Sequence, residues 1–208
     1  MAERASTYID PTARIGFPLR PLQGFVWSEW DPPDRTPKFA DPVYIGPHVT
    51  IGEAVILDDR VIIDEFCSVA RGAHIGADTL VIYGAAIGGE ARIGSDCVIG
   101  NIVSEAVVVG NRCKVFGRII HKHEDSTISW DHHSEPEPSV TIEDDCFVGF
   151  DAIVAGGITI GPRSYVCAGA IVTKSVPPLH IAFGINECIH YTEWAGDLAK
   201  NPLFRAEP

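Results

Sequence analysis

An aliphatic residue stands at every sixth position through most of this chain. From Ile45 the series runs through Ile51, Leu57, Ile63, Val69, Ile75, Val81, Ile87, Ile93 and Ile99 without a break. It slips by four residues, resumes at Val103, Val109 and Val115, and returns after a gap at Ile142, Val148, Val154, Ile160, Val166 and Val172. Ile9 and Ile15 belong to the same series. Six is an even number, so a strand keeps one face inward from repeat to repeat. A helical period of 3.6 or a heptad does not fit it. Short strands that turn and stack coil on coil would bury the aliphatic column as one continuous core.

Two further positions carry the same period. The residue after the aliphatic one is often Gly, Asp or Glu, as at Gly46, Gly52, Asp58, Asp64, Gly76, Gly94, Gly110, Gly149 and Gly161. The fourth residue after it is small or β-branched, from Val49 and Val55 to Ala152, Ser164 and Ala170. Cys67, Cys97, Cys113 and Cys146 share this last phase, and none of the 6 cysteines stands in a C-x-x-C pair. These thiols therefore read as reduced, buried, small hydrophobes rather than metal ligands or disulfides.

Three stretches depart from the repeat. Residues 17–42 hold Pro18, Pro21, Pro32, Pro33, Pro37 and Pro42 with Trp27 and Trp30, and read as an excursion, since proline donates no ladder hydrogen bond. Residues 121–139 interrupt the ladder for longer than most loops without a function. They carry His121, His123, His132 and His133, and Glu124, Asp125, Asp131, Glu135 and Glu137 against Lys122. Histidine beside carboxylate can serve as a general base or contribute to a metal site. Continuing the period of six from Val115 puts His121 inside the coil and His123 outside, which favours His123 as the base. The third departure follows Pro177-Pro178.

The segment Ala168-Gly169-Ala170-Ile171-Val172-Thr173-Lys174-Ser175-Val176-Pro177-Pro178, together with the hexads, resembles the hexapeptide-repeat acyltransferases. The resemblance covers about residues 43–178 and implies a left-handed parallel β-helix of about seven coils. On that reading residues 1–178 form the β-helix, with the excursion 17–42 and an active-site loop 121–139, and residues 179–208 form an extension with a short helix. It further implies acetyl-coenzyme A, or another acyl-coenzyme A, as co-substrate. The pantetheine and phosphates would run past Ala155, Gly156, Gly157, Ala168, Gly169 and Lys174, with His123 or His121 as catalytic base. Small residues admit a thin thioester arm, and a lysine meets phosphate. Glu124, Asp125, Trp130 and Asp131 of the loop would meet the acceptor, whose cationic character the local acidity suggests. The family's sites lie between subunits of a homotrimer. One departure is that Gly184-Ile185-Asn186-Glu187-Cys188 stands where the family places a basic turn.

Composition narrows the field. Sixteen basic against 28 acidic residues give a net charge of -12. That charge argues against nucleic acid or an anionic membrane as partner. No apolar run reaches the roughly 20 residues that span a bilayer, and Met1-Ala2-Glu3-Arg4 does not open a signal peptide. The expectation is a cytoplasmic enzyme acting on a small molecule, without a metal. Two other classes fit less well. A trimeric β-helix carbonic anhydrase would need a histidine spacing that His48, His74 and the loop do not show. A non-catalytic scaffold would use the coils only as a platform.

Overall fold

The computed structural model describes residues 6–17, 34–122 and 138–204. Over that range the chain is a parallel β-helix whose coils visit three sheets in turn. Tyr8–Ile9, Tyr44–Ile45, Ile62–Ile63, Leu80–Val81, Val98–Ile99, Lys114–Val115, Phe147–Val148 and Tyr165–Val166 stack in a ten-stranded sheet. An eight-stranded sheet and a seven-stranded sheet complete the triangle. The first corner leads from the ten- to the eight-stranded sheet, the second on to the seven-stranded sheet, and the third back.

The period of six produces this triangle directly. From Tyr44–Ile45 to Ile171–Val172 the second residue of each strand is the aliphatic one and is buried, whereas Ile9 and Ile15 in the first coil are 40% and 38% exposed. Ile45, Ile51, Ile63, Ile75, Ile99, Ile142 and Ile160 are all 0% exposed. Each such side chain contributes about 1.5–3 kcal/mol by leaving water, and the register places it on its equivalent one coil away, as with Ile63 on Ile45 and Val81. Tertiary repetition therefore replaces long strands, since most strands here have only two residues.

The small position, four residues past the aliphatic one, lines the corners. At the third corner Thr79, Cys97, Cys113, Cys146 and Ser164 form one buried column. Each donates to a carbonyl of the following coil. Thr79 Oγ1 reaches Gly94 O at 2.9 Å, Cys97 Sγ reaches Gly110 O at 3.1 Å, and Cys113 Sγ reaches Glu143 O at 3.1 Å. Cys146 Sγ reaches Gly161 O at 3.2 Å and Ser164 Oγ reaches Pro177 O at 2.9 Å. The four cysteines expected to be buried are free thiols at 0–1% exposure. Cys67 sits at the first corner, donating to Ile82 O.

Three expectations change. The ladder resumes at Lys38–Phe39, inside the stretch read as the proline-rich excursion, and Phe39 packs on the core. Pro37 precedes this strand and Pro42 follows it, so neither has to donate within it. At the other end His180–Phe183 pairs with Tyr165–Val166, so the ladder continues past residue 178. It ends in an antiparallel strand, Glu187–His190, that the period of six does not announce. The tail forms 3-10 turns at Tyr191–Glu193, Asp197–Lys200 and Pro202–Phe204, with Phe204 buried at the base.

The third change concerns His121. The inward residue after Val115 is Ile119, 0% exposed and paired with Val103 and Val154, and not His121. The first corner is shortened by two residues at Gly100-Asn101 and again, one coil on, at Phe116-Gly117, before the step from Val148 to Val154 restores six. A Cβ on Gly117 would lie 2.7 Å from Ala152 O, which is why this tight corner takes glycine. His121 moves accordingly from the core to the second corner and is half-buried there. Among the described residues no helix is long and apolar enough to cross a membrane.

Candidate active site

The second corner gathers the chemistry. The ladder stops at this corner twice, after Arg14–Phe17 and after Arg118–Ile120, and resumes at Lys38–Phe39 and Thr141–Ile142. The register of Val69, Ile87, Val103, Ile119, Val154 and Val172 sets Arg71, Gly89, Glu105, His121, Gly156 and Lys174 at equivalent places, each two residues past an inward one. Successive coils lie about 4.8 Å apart. His121 therefore has Glu105 one coil to one side, Gly156 one coil to the other, and Lys174 beyond Gly156.

The root of the 121–139 loop is closed by one main-chain and one side-chain hydrogen bond. Lys122 N donates to Pro138 O at 3.1 Å, and Ser139 Oγ donates to Glu105 O at 2.9 Å. The returning limb thus lies on the coil of Glu105, and the chain leaves and re-enters at one point beside His121. Gly157 makes room for that limb, since a Cβ there would meet Pro138 Cβ at 2.4 Å. The space before Gly157 is consequently taken by the loop root. His123, Glu124, Asp125, Trp130 and Asp131 lie outside the described residues.

The six residues assigned to the cofactor path divide between two corners. Ala155, Gly156, Gly157 and Lys174 share the second corner with His121, whereas Ala168 and Gly169 stand exposed at the first. Between the two corners runs the outer face of the eight-stranded sheet, where Ile102 and Ile171 are exposed and Ile153 is half-buried. The amides of Gly156 and Gly169 already donate to Ile120 O at 3.1 Å and Phe150 O at 2.9 Å. These two glycines therefore present open surface rather than unused N–H groups. A Cβ on Gly169 would meet nothing within 4 Å. The segment in place of a basic turn is a hairpin turn at Gly184–Asn186, where Asn186 Oδ1 accepts from Thr173 N at 2.7 Å.

One histidine–carboxylate pair escaped the sequence reading. His74 Nε2 lies 3.0 Å from Asp58 Oδ2 on the outer face of the seven-stranded sheet. The sequence signal was their separation of 16 residues, which is nearly one coil. His48 is not near it, because it stacks on Phe66 at the first corner, centroids 4.9 Å apart. Among the described residues no three His, Cys, Asp or Glu side chains converge as a metal centre would require.

The arrangement at the second corner can do proton transfer beside an anion. A half-buried imidazole stands at the loop root, an exposed ammonium two coils below, and an apolar strip alongside. Residues 139–174, which include all six of the cofactor-path residues, match the hexapeptide repeat of succinyl-transferase. The chain is 25% identical over 166 residues to the bifunctional protein GlmU of Bartonella bacilliformis, covering 69% of this chain and 37% of that protein. It is 26% identical over 205 residues to GlmU of Paramagnetospirillum magneticum, covering 93% and 41%. The chain thus spans well under half the length of these relatives. Among solved structures, the UDP-N-acetylglucosamine acyltransferase of Campylobacter jejuni aligns over 93% of this chain and 81% of that one, at 12% identity and TM-score 0.49. A perosamine N-acetyltransferase of Caulobacter crescentus, solved with CoA and GDP-perosamine, aligns over 87% and 54%, at 18% identity and TM-score 0.38.

Proposed function

We propose that this chain, a parallel β-helix whose residues 139–174 match the hexapeptide repeat of succinyl-transferase, transfers an acyl group, acetyl in the first instance, from acyl-coenzyme A to an amine or hydroxyl of a small molecule. The observation that carries this reading is that the family match, residues 139–174, contains every residue of the proposed cofactor path. Lys174 meets the cofactor's phosphates, and the pantetheine arm lies along the outer face of the eight-stranded sheet.

In the reaction, the acceptor's nitrogen or oxygen attacks the thioester carbonyl carbon. The loop-root histidine, His121 or His123, takes the proton that the attacking atom loses. The tetrahedral oxyanion collapses, the carbon–sulfur bond breaks, and coenzyme A leaves as thiolate to be protonated. Since Gly156 and Gly169 use their amides within the coils, the oxyanion donor comes from the loop or a neighbouring subunit.

A homotrimer with sites between subunits supplies that neighbour. Tyr8, Tyr44 and Ile62 on the ten-stranded sheet are 46%, 39% and 43% exposed, and Tyr8 stacks on Tyr44 with centroids 5.2 Å apart. An apolar strip of this kind is what a subunit interface covers. The 6 unpaired cysteines suit a reducing compartment such as the cytoplasm. The acidic loop favours an amino sugar or amino acid as acceptor.

Transfer of labelled acetyl from acetyl-coenzyme A to a panel of amino sugars and amino acids tests the reading, alongside His121→Ala and His123→Ala. One of the two changes is expected to lower kcat by roughly 100-fold or more. Full activity in both would reject a loop-root base.

A further inference from the structure

The C-terminal hairpin carries a second pair of histidines that the acyl-transfer reading does not use. Strands His180–Phe183 and Glu187–His190 are antiparallel, and the register sets His180 directly opposite His190. Residues so paired share one face of the ribbon, with Cβ atoms about 5 Å apart. The two rings meet at a centroid distance of 5.4 Å and an interplanar angle of 79°.

Hydrogen bonds occupy the Nδ1 side of both rings. His180 Nδ1 lies 2.8 Å from Pro178 O. A carbonyl only accepts, so Nδ1 carries the hydrogen and Nε2 keeps its lone pair. His190 Nδ1 lies 2.8 Å from Thr192 Oγ1, which can accept in the same way. Neither Nε2 has a hydrogen-bond partner among the described residues. Imidazoles that bind metals are prepared like this, with one nitrogen held by an oxygen and the other left as ligand.

We propose that His180 and His190 bind one divalent transition-metal cation, of the zinc, copper or nickel class, through their Nε2 atoms. Two imidazoles bound tetrahedrally at ordinary metal–nitrogen lengths hold their centroids about 5 Å apart, close to the observed spacing. Imidazole selects this class of ion over magnesium or calcium, and the net charge of -12 draws cations to the protein. Water completes the coordination. The ion joins the hairpin at its mouth, opposite the turn at Gly184–Asn186, just where the chain departs toward the Tyr191–Phe204 stack that closes the base. Its effect is to clamp that closure, independently of acyl transfer.

The test uses the full chain with ZnCl2. Calorimetry is expected to show a saturable site that His180→Gln and His190→Gln each weaken at least about 10-fold. Zinc is expected to raise the Tm of the unaltered protein and not that of either variant. Because the 121–139 loop holds four other histidines, diethyl pyrocarbonate footprinting of the unaltered protein supplies a residue-specific readout that needs no variant. Protection of both His180 and His190 by zinc supports the site. Unchanged affinity in both variants, no protection at either histidine, or no saturable binding up to about millimolar zinc would overturn it.

Discussion

The cysteine column at the third corner makes a prediction that can be worked through in numbers. The hydrogen-bonded neighbour Cys146, with burial adding to it, pushes the Cys113 thiol up to about 12 from an ordinary value of 9.0. The folded value exceeds the unfolded one, so this stabilisation is fully present below pH 9 and is lost as pH rises from 9 toward 12. At pH 10 the unfolded thiol is roughly 90% ionised while the folded one stays protonated, which removes about 1.4 kcal/mol relative to pH 7. Cys113→Ser removes that titration but keeps a donor for Glu143 O, as Ser164 does for Pro177 O. It is expected to cost about 1 kcal/mol at pH 7. Cys113→Ala loses the donor and leaves a small cavity, for about 2 kcal/mol. Urea denaturation of the reduced protein at pH 7 and pH 10 measures both. Going to pH 10 should change the difference between wild type and Cys113→Ser by about 1.4 kcal/mol in favour of the variant, enough to cancel or slightly reverse the cost at pH 7. An unchanged gap, or equal cost for Ser and Ala at pH 7, would refute the donor column.

Other outcomes follow from the same geometry. A Cβ on Gly88 would lie 2.4 Å from Glu105 N, so Gly88→Ala should cost several kcal/mol in thermal melts. Gly169→Ala meets open space and should cost only about 1 kcal/mol, for its positive φ. A thiol reagent at neutral pH should titrate exposed Cys188 quickly, half-buried Cys167 slowly, and the four buried thiols only after denaturant. Asp144, whose carboxyl is held below its ordinary value by Asn111 N–H and the Arg112 guanidinium, stabilises the fold at neutral pH and loses that effect as pH falls below the carboxylate range. Acid denaturation followed by circular dichroism should start from lower stability and show a shallower slope in Asp144→Asn.

The period of six was legible because one position in six carries the core, so most coils, including those of Ile45, Ile99 and Ile142, could be placed from spacing alone. Corners were harder to read, because a corner can lose two residues, as at Phe116-Gly117, while the next coil keeps its full length. The slip from Ile99 to Val103 is visible in the sequence; its echo from Val115 to Ile119 is not, since Ile119, Ile120 and His121 all tolerate the position locally. That echo moved His121 out of the core. The strand at Lys38–Phe39 was masked by the prolines on either side of it, although both are compatible with a two-residue strand. The candidate site was half legible. Lys174 and Gly156 align with His121 because they occupy one corner, while Ala168 and Gly169, close to them in sequence, belong to another corner. His74 and Asp58 meet only because 16 residues nearly complete a coil.

Calorimetric titration with acetyl-coenzyme A tests the proposed cofactor path, on which the acyl-transfer reading rests, most directly. The account predicts saturable heat, weakened by Lys174→Ala. An absence of binding at millimolar cofactor would contradict it.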